Sequence, residues 1–68
     1  MSMRVIVNGQ ARELRERAEL VDLLEELGLD RRYLVVEYNG EPLGRDRIDG
    51  LALVDGDRLE LVRPVAGG

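Results

Sequence analysis

Apolar positions in this chain repeat first every second residue, then at helical spacing, then every second residue again. Met3, Val5 and Val7 are separated by Arg4 and Ile6, which predicts a strand with one face on a core. Asn8-Gly9 supplies the two positive-φ residues of a type I′ turn, so Gln10 to Arg15 is predicted to return antiparallel to that strand. From Glu19 the period lengthens. Leu20, Leu23, Leu24 and Leu27 form one stripe beside Val21, with Asp22, Glu25 and Glu26 turned to solvent, and Gly28 is placed to end the helix in a left-handed conformation. Tyr33 to Tyr38 is too short for a second helix and rich in β-branched and aromatic residues, so it is predicted to be a central strand.

Asn39-Gly40 marks a second turn, and Glu41-Pro42-Leu43 a short edge segment, because proline cannot donate to a ladder. Arg45 to Asp49 is expected to form one irregular helical turn. Asp49-Gly50 and Asp55-Gly56 are further turn signals; the second leads into a last strand, Arg58 to Arg63, which Pro64 ends. Hairpin, helix, strand, edge strand and final strand define an α+β fold of the ubiquitin-like β-grasp type. Its sheet is mixed, with four to five strands and one main helix packed across it. Parallel pairing of the first and last strands follows from that fold type, since the pattern itself shows element order and not pairing. Residues 1–63 form the expected domain. Residues 64–68 form a flexible Gly-Gly tail that spans at most about 17 Å at roughly 3.3 Å per extended residue.

Composition narrows the chemistry. The 68 residues include no Cys and no His, all ten basic residues are Arg, Thr is absent, and Ser2 is the only serine. Catalysis by a thiol, amine, imidazole or aliphatic hydroxyl side chain therefore has almost nothing to work with, and neither a disulfide nor a thiolate metal site is available. A net charge of −4 opposes binding to nucleic acid, which is held by clustered cations. No apolar run approaches the length of a membrane span, and a cytosolic, cytoplasmic location is the expectation. A domain this small buries only about 60% of its unfolded surface, so the leucine stripe of its one helix is assigned to the core.

The chemistry that remains is the free carboxylate of Gly68 at the end of Pro64-Val65-Ala66-Gly67-Gly68. A C-terminal carboxylate has a pKa near 3.5 and is a poor electrophile at neutral pH until it is activated. Glycine suits such an end because, without Cβ, the backbone can enter a narrow channel and the carbonyl is open on both faces. A frayed end would read the same way at the level of residues.

Val-Asn-Gly at 7–9, Leu23-Leu24-Glu25-Glu26-Leu27-Gly28, Val35-Val36-Glu37-Tyr38-Asn39-Gly40-Glu41, Val54-Asp55-Gly56-Asp57 and the terminal Gly-Gly together resemble the ThiS family of thiamine-biosynthesis sulfur carriers. The stretch Gly44-Arg45-Asp46-Arg47-Ile48 departs from the family pattern, which has a Pro-Arg and then a Trp in this region. The resemblance implies a protein co-substrate rather than an enzyme, with no bound cofactor and no metal. An E1-like, ThiF-type adenylyltransferase would use ATP to convert the Gly68 carboxylate to an acyl-adenylate, and a persulfide sulfur donor would yield a thiocarboxylate. A ThiG-type thiazole synthase would then take the sulfur. Pro64, Val65, Ala66 and Gly67 would enter the partners' active sites. Two alternatives remain open: the small subunit of molybdopterin synthase, and a ubiquitin-like modifier joined to lysines of other proteins.

Ile6, Tyr38, Leu43 and Val62 are candidates for a shared apolar docking patch or, alternatively, for completing the core. Glu37, Glu41 and Glu60 are placed to steer the chain toward basic partners. Arg12, Arg15, Arg17, Arg31 and Arg32 are read as solvated or paired with nearby glutamates. Asp55 and Asp57 are read as turn residues, and neither they nor Asp46 and Asp49 make a credible metal or catalytic pair.

Overall fold

The computed structural model describes residues 1–64; the four residues 65–68, and with them the expectations placed on Val65, Ala66, Gly67 and Gly68, lie outside the described part. Among the described residues five strands form one sheet: β1 (Ser2–Val7), β2 (Gln10–Arg15), β3 (Val35–Tyr38), β4 (Glu41–Leu43) and β5 (Arg58–Val62). They lie in the order β2-β1-β5-β3-β4. β1 and β5 run parallel, with Ile6 opposite Arg58 and Val7 opposite Leu59, and the other pairs are antiparallel. One helix, α1 (Leu20–Leu27), covers one face. This is the β-grasp arrangement, and the last strand occupies the centre of the sheet.

Both Asn-Gly turns are made by residues suited to them. Asn8 and Gly9 have φ of 49° and 81°, and Asn39 and Gly40 have 52° and 86°, so both Asn-Gly pairs have the left-handed backbone that tight hairpins require. Helix α1 starts where the Glu19 N–H donates to Asp22 Oδ2 at 2.7 Å, satisfying one of the donors that a helix start leaves without a partner. It ends at Gly28, with φ of 70°, where the Gly28 N–H donates to the Glu25 carbonyl and the Leu29 N–H to the Leu24 carbonyl.

The core lies between α1 and the sheet. Leu20, Leu23 and Leu24 meet Met3, Val5, Val7, Val36, Leu59 and Leu61, and Ile48 and Leu53 close it from the long connection before β5. Each fully buried Leu, Ile or Val contributes roughly 1.5–3 kcal/mol against exposure. Leu27, at the end of the predicted stripe, is only half-buried.

The last strand ends at Val62, one residue short of the predicted Arg63, and a larger shift occurs at the central strand. Tyr33, expected to start the central strand, belongs to a 3₁₀ turn over Arg31–Tyr33, and β3 starts at Val35. The cause is Asp30, whose Oδ1 accepts the Arg32 N–H at 2.9 Å and so nucleates the turn. Arg32 also forks onto the same carboxylate, and that ion pair holds Asp30 down to about 2. Tyr33 is left 65% exposed, with the Arg32 guanidinium over its ring. The Arg45 to Asp49 segment forms a second 3₁₀ turn over Arg45–Arg47.

Candidate functional site

The described chain ends at Pro64, two residues beyond β5. How β5 is held therefore decides how the C-terminal segment is presented. Leu59 and Leu61 point into the core, which fixes the rotation of the strand about its axis, while Arg58, Glu60 and Val62 point away from the helix. β3 pairs along β5 from Leu59 to Val62, but β1 pairs only with Arg58 and Leu59 before the chain turns at Asn8.

Asparagine side chains supplement the ladder at both ends of β5. Near its start, Asn39 Oδ1 accepts the Arg58 N–H at 2.8 Å and the Asn39 N–H donates to the Arg58 carbonyl at 2.8 Å. Near its end, Asn8 Oδ1 accepts the Leu61 N–H at 2.8 Å and Asn8 Nδ2 donates to the Leu61 carbonyl at 3.2 Å. Only this orientation of the Asn8 amide sets a donor against the carbonyl and an acceptor against the N–H.

Below Asn39 lies a buried polar cluster. Asp57 is 4% exposed. Its Oδ2 accepts from the Tyr38 hydroxyl at 2.8 Å and the Val54 N–H at 2.9 Å, and its Oδ1 accepts from Asn39 Nδ2 at 3.1 Å. Three donors on one buried carboxylate make the cluster satisfied rather than reactive. Burial, then the Asp57 carboxylate as hydrogen-bond acceptor and as charge, push the Tyr38 phenol above its usual 10.0, so it stays protonated at neutral pH. Asp55 accepts the Arg4 N–H at 2.7 Å. Both aspartates thus serve the turn before β5, and among the described residues no three acidic side chains converge as a metal site would need.

The four residues predicted as an apolar patch divide between the two faces of the sheet. Tyr38 and Leu43 share parity with Val36 and pack against the core from the helix side, with Tyr38 tied to Asp57. Ile6 and Val62 lie on the open face, Ile6 half-buried and Val62 54% exposed. They do not touch as register partners, since Ile6 stands opposite Arg58 at the other end of β5. The partner that Val62 does have is Val35, directly opposite it on β3 and 49% exposed. Val35 went unrecognised in the sequence because cross-strand pairing cannot be read from one strand. The next pair on the same face is Glu37 opposite Glu60, two carboxylates whose repulsion disfavours the isolated sheet and favours a basic neighbour. Glu41 is exposed on the edge strand β4.

A five-stranded mixed sheet with parallel first and last strands, one helix and a C-terminal segment leaving its central strand defines a ubiquitin-like β-grasp protein. The model of the ThiS family matches residues 5–68, and the chain belongs to that family. The crystal structure of the thiamine biosynthesis protein ThiS from Geobacter metallireducens superposes with a TM-score of 0.80 at 33% identity, covering 97% of this chain and 100% of that one. The solution structure of the Geobacter protein gives 0.78, covering 97% and 88%. A thiazole synthase of Paramagnetospirillum magneticum is 36% identical over 66 residues, which is 97% of this chain; the chain spans about 20% of that relative's length. No helix among the described residues is long and apolar enough to cross a membrane.

Proposed function

We propose that this chain is a sulfur carrier of thiazole formation in thiamine biosynthesis, acting as a protein co-substrate whose working group is the Gly68 carboxylate. The observation that carries the reading is the family match itself, which runs through residue 68 and so takes in the terminal diglycine. ATP, bound by a separate adenylyltransferase and not by the carrier, activates the carboxylate as an acyl-adenylate with release of pyrophosphate. A persulfide sulfur then displaces AMP. Cleavage of the remaining S–S bond by a thiol, which becomes a disulfide, leaves a thiocarboxylate on Gly68. The role needs no side-chain nucleophile in the carrier, in keeping with a chain that has no Cys, His, Lys or Thr.

Thiazole synthase is the proposed acceptor. A protein of that name contains a segment similar to nearly the whole of this chain, which supports a working contact between carrier and synthase. The open sheet face beside the strand exit, with Val35 and Val62 next to Glu37 and Glu60, offers the proposed partners an apolar contact flanked by carboxylates. Pro64, Val65, Ala66 and Gly67 connect that face to the reacting carboxylate.

The test is intact-mass analysis after incubation with ATP, a ThiF-type adenylyltransferase and a persulfide donor. One oxygen-to-sulfur exchange, located at Gly68 by fragmentation, is the expected result. No exchange with an activating enzyme that charges another ThiS protein under the same conditions would overturn the reading. Stable capture of the large subunit of molybdopterin synthase would move the chain to the molybdenum cofactor, and isopeptide conjugates to other proteins would make it a modifier.

A further inference from the structure

From the geometry at the end of β5 we infer that Asn8 is a positioning residue for the C-terminal segment, its side chain standing in for the strand that β1 ceases to be. The inference rests on the carrier reading for its functional consequence but not for its structural content. Ile6 of β1 donates to the carbonyl of Asp57, just before β5, at 2.8 Å, and Asn8, just past β1, donates to the Leu59 carbonyl at 2.9 Å, one series along the parallel edge. The next contact in that series would meet Leu61. The backbone cannot make it, because Asn8 and Gly9, at φ of 49° and 81°, have already turned into β2. The Asn8 carboxamide supplies the same acceptor and donor at that place, bonding the Leu61 N–H and carbonyl together.

Asparagine is suited to the position for two separate reasons. It tolerates the left-handed backbone of the turn, and its carboxamide has the donor–acceptor pair of a peptide group. Glycine would satisfy the first requirement alone, and aspartate would keep the turn and the acceptor but not the donor. Without the clamp, the edge of β5 facing β1 is unpaired from Leu61 onward, three residues before Pro64. The direction in which the segment leaves the sheet then spreads over a wider cone, and the fraction of bound carriers with the carboxylate in attacking position falls. Docking through the sheet face is untouched.

Asn8→Gly and Asn8→Asp, made in the full chain, separate these contributions. Amide exchange by NMR should show the Leu61 N–H exchanging about tenfold or more faster in Asn8→Gly, less so in Asn8→Asp, while the Ile6 N–H keeps its wild-type protection. With a ThiF-type enzyme and ATP, kcat for pyrophosphate release should fall several-fold in Asn8→Gly, with partial recovery in Asn8→Asp, at an unchanged KM for the carrier. An equal kcat in all three proteins would overturn the positioning role while leaving the carrier reading intact, and unaltered Leu61 exchange would overturn the clamp itself. If even the wild-type chain is not charged, the carrier reading fails, and the exchange measurement still decides the clamp.

Discussion

The chain has two Asn-Gly hairpin turns with nearly the same backbone, and they do different work at opposite ends of one strand. Asn39 is joined to a buried cluster: besides bonding Arg58 at the start of β5, its amide reaches Asp57, which in turn holds Tyr38 and Val54. Asn8 bonds the Leu61 backbone near the strand's end and, among the described residues, takes part in no buried network. One turn is therefore tied to global stability and the other to the local order of the strand end. The same dipeptide is read by its turn geometry in sequence, but its side chain acts on residues far along the chain.

The comparison is broken most severely at Asp57. Asp57→Ala leaves the Tyr38 hydroxyl, the Asn39 amide and the Val54 N–H without an acceptor, and at roughly 1 kcal/mol or more each the loss is about 3 kcal/mol. A domain of this size holds only about 3–10 kcal/mol in all, so urea unfolding should shift to far lower midpoints. Asn39→Gly keeps the positive φ but removes bonds to Asp57 and Arg58, and should cost about 1–2 kcal/mol in the same experiment.

Tyr38→Phe should cost about 1.5 kcal/mol, the low end for a hydrogen bond to a charged group, because Asp57 keeps its two other donors. It should also change the pH profile. The phenol is raised in the folded state above its unfolded 10.0, so its contribution is fully present below pH 10 and is lost as pH rises through the folded value. Unfolding free energy measured above pH 10 should therefore fall in wild type and fall less in Tyr38→Phe. The smallest global effect belongs to Asn8→Gly, below about 1 kcal/mol, because glycine relieves the left-handed backbone while two partly solvated bonds are lost. A loss at Asn8 equal to that at Asn39 would erase the distinction between the turns.

Much of the fold was legible because periodicity and turn chemistry are local. The hairpin, the helix with its glycine end, the short edge strand and the last strand all lie within a residue of where the pattern predicts them. Tyr33 departs from its strand propensity because the side chain of Asp30, three residues earlier, caps a 3₁₀ turn that takes it in. The inward side of Tyr38 was readable from its parity with Val36 in the same strand, and parity also separates Val62 from Leu61. What the sequence could not give was partnership: that Val35 faces Val62, or that Asn8 reaches Leu61 across 53 residues. Such contacts follow from strand order, which no single segment encodes. The proposed working end is suggested by sequence for the opposite reason, since two glycines and a carboxylate need no packing to be noticed.

The central claim, that a stable β-grasp scaffold exists here to present the Gly68 carboxylate, is tested most directly by complementation. Cells that lack their own ThiS and require thiamine should grow without it when given the full chain, and should not grow when given the same chain lacking Gly67 and Gly68, although both proteins accumulate folded to equal levels. Growth supported equally by the shortened chain would contradict the account.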